Sequence, residues 1–127
     1  MSTRVGRAGD YLVASALEQI GVQVAVVHAD NFDLCAWTTG DVYRIECKAS
    51  MRKSKQRPNA YHFQTRCGGL KRALTTGSCD IVAFVALDIR MVHFRHISIV
   101  RATSTLVSLQ QFTAENEIDS WLAATRQ

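Results

Sequence analysis

Apolar residues recur every three or four positions at the start of the chain and every second position soon afterwards. Val13, Ala16, Leu17 and Ile20 share one helical face, and the spacing predicts a helix from about Gly6 or Ala8 to Ile20, stopped by Gly21. Three β-forming runs follow at Gln23–His28, Phe32–Trp37 and Val42–Ala49, the last two joined by the turn Thr38-Thr39-Gly40-Asp41. Asn59–Gln64 reads as an extended segment or a helix start, and Leu70–Leu74 as a helix closed by Thr75-Thr76-Gly77. Asp80–Leu87 and Met91–Ile99 are further strands, with Asp88-Ile89-Arg90 turning between them; in the second, His93, Arg95 and His96 are the polar positions. Thr113 is placed to cap a last helix, with Glu115 and Glu117 in its first turn and Ile118, Trp121 and Leu122 facing inward. This order of elements predicts a single α/β domain over residues 1–127, with a central mixed β-sheet flanked by α-helices.

Side-chain alternation along the third strand separates its chemistry from its packing. Tyr43, Ile45, Cys47 and Ala49 form an apolar face, whereas Arg44, Glu46 and Lys48 line the other. Glu46 and Lys48 therefore point the same way, about 6–7 Å apart along the strand. A hairpin through the Thr38–Asp41 turn brings Asp33 beside them. Two carboxylates and an ammonium then meet at one end of a sheet, an arrangement suited to a divalent cation that holds a water against a phosphodiester. The plainer alternative is a structural ion pair between Asp33 and Lys48 or Arg44, since a carboxylate entering an apolar neighbourhood needs a partner. Asp10, at the start of the first helix, also has two readings: it complements the helix dipole, or it joins the carboxylates.

Charge sharpens this picture. The net charge is +4, and between Cys47 and Cys79 there is no acidic residue at all. More than half of the basic side chains fall in that stretch, among them Lys48, Arg52, Lys53, Lys55, Arg57, Arg66, Lys71 and Arg72. A basic loop directly after a candidate metal strand is where a polyanion backbone would be held. The four cysteines are isolated, without a C-x-x-C pair, so they are read as core thiols and not as zinc ligands. His28, His93 and His96 have no second ligand at metal spacing, which argues against a histidine-held metal. No Walker loop, dinucleotide fingerprint or nucleophile elbow is present. No apolar run approaches a membrane span and no signal core follows Met1, so the expected location is cytoplasmic, away from membranes.

Asp33, within Asn31-Phe32-Asp33, followed thirteen residues later by Glu46-Cys47-Lys48, resembles the PD-(D/E)xK nuclease superfamily. The helix opened by Gly6-Arg7-Ala8-Gly9-Asp10-Tyr11 stands where that superfamily carries an acidic residue. Length and spacing look most like archaeal-type Holliday junction resolvases over residues 4 to 98, whereas Gly9–Val13 and Tyr61–Gln64 look more like a homing endonuclease branch. The resemblance implies a restriction-endonuclease-like core and a DNA endonuclease dependent on Mg²⁺, with Mn²⁺ as a substitute. Asp33, Glu46 and the backbone carbonyl of Cys47 would ligate the metal, Lys48 would orient the attacking water, and Asp10 and Gln64 would complete the catalytic set. Arg4, Arg7, Arg52, Lys53, Lys55, Arg57, Arg66, Lys71 and Arg72 would hold DNA. The expected substrate is a branched junction cut by a homodimer. The alternatives are site-specific cutting of duplex DNA by a homodimer or higher oligomer, and a non-catalytic DNA-binding module.

Overall fold

The run Ile81–Ala86 is apolar at every position and completely buried. A strand of this kind needs cover on both faces. The computed structural model describes residues 4–29, 31–67, 72–73, 77–100 and 103–126. Its elements, in chain order, are α1 (Arg4–Gln19), β1 (Gln23–Val26), β2 (Leu34–Thr38), β3 (Asp41–Ser50), β4 (Ala60–Gln64), β5 (Arg66–Cys67), β6 (Arg72–Ala73), β7 (Ile81–Ala86), β8 (Met91–His96), β9 (Ser104–Ser108) and α2 (Ala114–Thr125). Five strands form a mixed sheet in the order β1-β2-β3-β7-β8, antiparallel throughout except for the parallel pair β3 and β7.

The two faces of this sheet are covered differently. Ile45, Ile81, Ala83 and Val85 pack under Val13 and Leu17 of α1 and Trp121 and Ala124 of α2, so both helices lie on one side. Val82, Phe84 and Ala86 pack instead under Tyr61, Phe63 and Val107, which belong to a separate ribbon of β4 paired with β9. Phe63 meets Phe84 with ring centroids 5.0 Å apart. The Tyr61 hydroxyl donates to Asp88 Oδ1 at 2.8 Å, just beyond the end of β7. The ribbon therefore runs back along β7 from its last residues, Tyr61 first and Phe63 next.

Local chemistry accounts for the boundaries. Gly21 takes φ +90, and the N–H groups of Gly21 and Val22 close α1 on the carbonyls of Glu18 and Leu17. That is the paired C-terminal bond pattern that favours glycine. Gly40, with φ +109, sits in the two-residue turn between β2 and β3. Gly9 serves a different purpose: a Cβ there would stand 3.0 Å from the Ala49 Cβ, so its absence lets the first turns of α1 lie close against β3.

Several expectations change. Of the three apolar side chains expected to face inward from the last helix, only Trp121 does; Ile118 and Leu122 are 44% and 45% exposed. The inward stripe is Glu117, Ser120, Trp121 and Ala124, because β8 is an edge strand whose N–H groups need acceptors. Glu117 Oε2 accepts from Val92 N at 2.9 Å and Ser120 Oγ from Phe94 N at 3.1 Å. The helix expected over Leu70–Leu74 is a strand at Arg72–Ala73, paired with Arg66–Cys67, and the rest of it lies outside the described residues. So short a stretch has no helical stability without packing. β9 carries only two inward apolar or small positions, Thr105 and Val107, too few to stand out as a strand. His93 is buried and not on a polar surface; burial, and then Arg95, push its pKa down to about 4, so it stays neutral.

Ser120→Ala should destabilise the fold by about 1–3 kcal/mol, because it strands the Phe94 N–H in a covered position. Gly9→Val should cost a similar amount, roughly 1–3 kcal/mol, by forcing α1 away from Ala49. Urea midpoints at unchanged m-value would check both, and a wild-type midpoint for Gly9→Val would refute the close approach.

Candidate functional site

At Asp33 the chain enters β2 out of step. Leu34 is the register partner of Ile45, yet the Asp33 N–H also reaches the Ile45 carbonyl, at 2.8 Å. Two residues facing one is the mark of a bulge, and bulges re-aim side chains. Here the side chain is turned onto β3, where Asp33 Oδ2 accepts from the Cys47 N–H at 2.8 Å. The Asp33 carbonyl in turn accepts from Val27 N and His28 N, at 2.8 and 3.1 Å. One residue thereby fixes the start of β2, the middle of β3 and the turn after β1.

Cys47 is the centre of the cluster. Its N–H meets Asp33, and its thiol, on the helix side of the sheet, hydrogen-bonds the Asp10 carboxyl. Burial, then the charges of Asp10, Asp33 and Glu46, push that thiol well above its ordinary range, so it is an inert filler. Glu46 is the preceding residue on the opposite face, buried and hydrogen-bonded to Asp33. Lys48 lies on that same face, and its charge favours ionised Glu46. In a strand the N–H and C=O of one residue point to the same neighbour, which directs the Cys47 carbonyl toward Asp33 as well.

Asp10 completes the group from α1. It is almost wholly buried, and its Oδ2 lies 3.4 Å from His28 Nδ1. The ligand atoms of Asp10, His28 and Asp33 all fall within 4.8 Å of one another. His28 therefore does stand within reach of a candidate metal position, contrary to the expectation from its spacing. Nothing in the spacing could reveal it, because His28 reaches the site through a backbone φ of 49, unusual for a non-glycine residue, that the Asp33 carbonyl holds. Arg44, the alternative partner for Asp33, is committed to Asp80, with Nε and Nη2 on the two carboxylate oxygens, each at 3.1 Å.

The electrostatics call for a cation. Burial, and then the nearby Asp33, raise the Asp10 pKa from 3.8 to about 6. Glu46 is raised much further above the carboxylate range, by burial, by sharing a hydrogen bond with Asp33 and by its charge. Carboxylates held together out of water repel unless they share protons or a cation. Asp10, Asp33 and the His28 imidazole are a donor set that fits a divalent ion, and Glu46 adjoins it through its hydrogen bond to Asp33.

The remaining candidates lie around this cluster. Arg4 and Arg7 are exposed on α1, and Arg52, Lys53, Lys55 and Arg57 are exposed in the loop that leaves β3. That loop is ordered by Ser50 Oγ donating to the Arg52 carbonyl at 2.8 Å and by Ser54 Oγ accepting from Arg57 N at 3.2 Å. Gln64 occupies the outward face of β4, opposite Tyr61 and Phe63. Arg66 and Arg72 are positions in β5 and β6, and Lys71 lies outside the described residues.

No protein-family model and no curated protein matches this sequence. Among solved structures, the chain is similar to a bacterial homing endonuclease, I-Ssp6803I, with a TM-score of 0.68. The match covers 99% of this chain and 97% of that one at 12% sequence identity. The likeness is one of fold. The central mixed sheet with its helices matches the core of that endonuclease in fold. No helix among the described residues is long and apolar enough to cross a membrane.

A raised carboxyl pKa means that the folded state holds its proton more tightly than the unfolded chain does. The associated stability is complete below pH 3.8 and is lost as pH rises through about 6 for Asp10, and further for Glu46. The metal-free protein should therefore melt at progressively lower temperature from about pH 4 to about pH 9. Mg²⁺ or Mn²⁺ should restore the loss at the alkaline end. Glu46→Gln should raise the metal-free melting temperature there and shrink the response to metal. Scanning calorimetry with and without chelator would measure this, and a pH-independent transition would contradict the crowded-carboxylate picture.

Proposed function

We propose that this protein is a divalent-metal-dependent DNA endonuclease that cuts duplex DNA at preferred sites. The observation that carries the reading is the convergence of Asp10, Asp33, Glu46 and Lys48 around Cys47, beside a loop of exposed cations. A degenerate binding module would have no use for three crowded carboxylates at a cost in stability. Asp10, Asp33 and Glu46 would hold the metal, with His28 and the Cys47 carbonyl in reach. Carboxylate oxygens suit Mg²⁺, and Mn²⁺ accepts the same set along with an imidazole. When bound, the cation supplies positive charge at the phosphate and an acidified water. Lys48 would orient that water and offset charge developing on the phosphoryl oxygens. Arg4, Arg7, Arg52, Lys53, Lys55 and Arg57, together with Arg66, Lys71 and Arg72, would hold the backbone. Gln64 is assigned here to substrate contact, since its strand face is turned outward.

Duplex DNA is preferred over a four-way junction because the fold match runs the full length of a homing endonuclease. Cutting both strands of a duplex calls for two such sites, which goes with a symmetric homo-oligomer.

Linear duplex, four-way junction and single-stranded DNA should be incubated with the protein and Mg²⁺ or Mn²⁺ in parallel. Site-specific duplex cutting is expected; junction-only nicking would reassign the substrate, and no cutting of any form would overturn the enzyme reading. Glu46→Gln and Lys48→Ala should each lower cleavage by at least about 10²–10³-fold while DNA binding persists. Replacing Arg52, Lys53, Lys55 and Arg57 by glutamate should weaken binding and flatten its salt dependence, by about 0.9 in log–log slope for each phosphate no longer neutralised. An unchanged slope would move the DNA surface elsewhere.

A further inference from the structure

The ribbon of β4 and β9 has an outer face with an unusual composition. His62 pairs with Leu106, Gln64 with Ser104, and Ala60 with Ser108, while Tyr61, Phe63, Thr105 and Val107 are buried beneath them. His62, Gln64, Leu106 and Ser108 are exposed, Leu106 by 43%. Neither strand contains a single Asp, Glu, Lys or Arg, in a chain where one residue in five is charged. Free edge strands are usually guarded by charge, and a neutral ribbon of this kind is adhesive unless something covers it. The flanks say what. β4 is entered from the exposed cations Arg52, Lys53, Lys55 and Arg57, and the whole segment from Lys48 to Ser78 is free of acid. Cations beside a strip of neutral donors, acceptors and one apolar side chain are complementary to a duplex, whose phosphates flank a groove of uncharged base edges.

We propose that the outer face of the β4–β9 ribbon enters the major groove and selects the cutting site by reading base edges. The inference rests on the nuclease reading and deepens it. His62, Gln64, Ser104 and Ser108 supply hydrogen bonds to bases, and Leu106 an apolar contact for a thymine methyl group. The dimensions agree: a major groove about 12 Å wide admits a two-stranded ribbon, whose strands are about 4.8 Å apart. Placement agrees too. The ribbon is stacked, through Phe63 on Phe84, over the sheet face that bears Glu46 and Lys48, and Phe84 is the register neighbour of Lys48. The ribbon and the strand that bears Glu46 and Lys48 are thus neighbouring elements, so one duplex would meet both.

The test is a binding selection by the full-length chain from a duplex pool with a randomised centre, with Ca²⁺ in place of Mg²⁺ to prevent cutting. Wild type should enrich a preferred sequence. The double variant His62→Ala, Leu106→Ala should lose about tenfold or more of the preference for that sequence over the random pool. Its affinity for the random pool and its salt slope should stay at wild-type values, because phosphate contacts are untouched. His62→Asn, which keeps a hydrogen-bonding side chain, should shift the preferred base rather than erase the preference, and it guards against a folding defect in the double variant. Unchanged enrichment in both variants would overturn the proposal, as would wild-type binding with no sequence preference. Cutting of plasmid DNA by the same wild-type preparation with Mg²⁺ scores the nuclease reading separately, so failure of groove reading is not confused with failure of the enzyme.

Discussion

A single hydrogen bond, from the Cys47 N–H to Asp33 Oδ2, ties the candidate chemistry to the fold. It is made possible by the bulge at the start of β2 and replaces a ladder bond that the kinked strand cannot supply. The same residue anchors the turn that carries His28. Without that bond the carboxylate would lack a fixed donor, and the approach of Asp10 and Glu46 would be resisted by charge alone. A backbone donor is well suited to the role, because it cannot rotate away.

Around that bond the molecule keeps packing and chemistry on different surfaces. The helix side of the sheet buries Ile45, Ile81 and Val85 under α1 and α2, and Asp10 enters the cluster from there, beside the small Cys47. The other side is covered by the ribbon over β7, and Glu46, buried, and Lys48, half-buried, lie on that side along the neighbouring stretch of β3. The cluster is destabilising to the protein that holds it, as the raised Asp10 and Glu46 values indicate. The apolar layers above and below supply the stability that tolerates it. Edge protection follows the same division: Glu117 and Ser120 of α2 serve the free N–H groups of β8, and the surface kept neutral and uncovered is the ribbon.

The differences between pattern and fold have specific causes. Ile118 and Leu122 have the right spacing to face inward, but α2 is rotated by the demand of two backbone donors for Glu117 and Ser120. β9 leaves little trace in the pattern because a strand in a two-stranded ribbon needs only one buried side. His28 escapes a spacing argument because such arguments find ligands on one strand or helix, and this one arrives by an unusual backbone angle at a turn.

Residue order alone was enough for the sheet strands, the first helix and the facing of Glu46 with Lys48, since these follow from periodicities of two and of three to four that need no partner to be read. It was enough, too, for the acid-free basic segment. Which groups actually meet was set by long-range packing. Gly9 against Ala49 brings Asp10 to Cys47, the bulge brings Asp33, and its carbonyl brings His28. Contacts of that kind depend on the distance between elements far apart in the chain, a quantity that no local pattern contains.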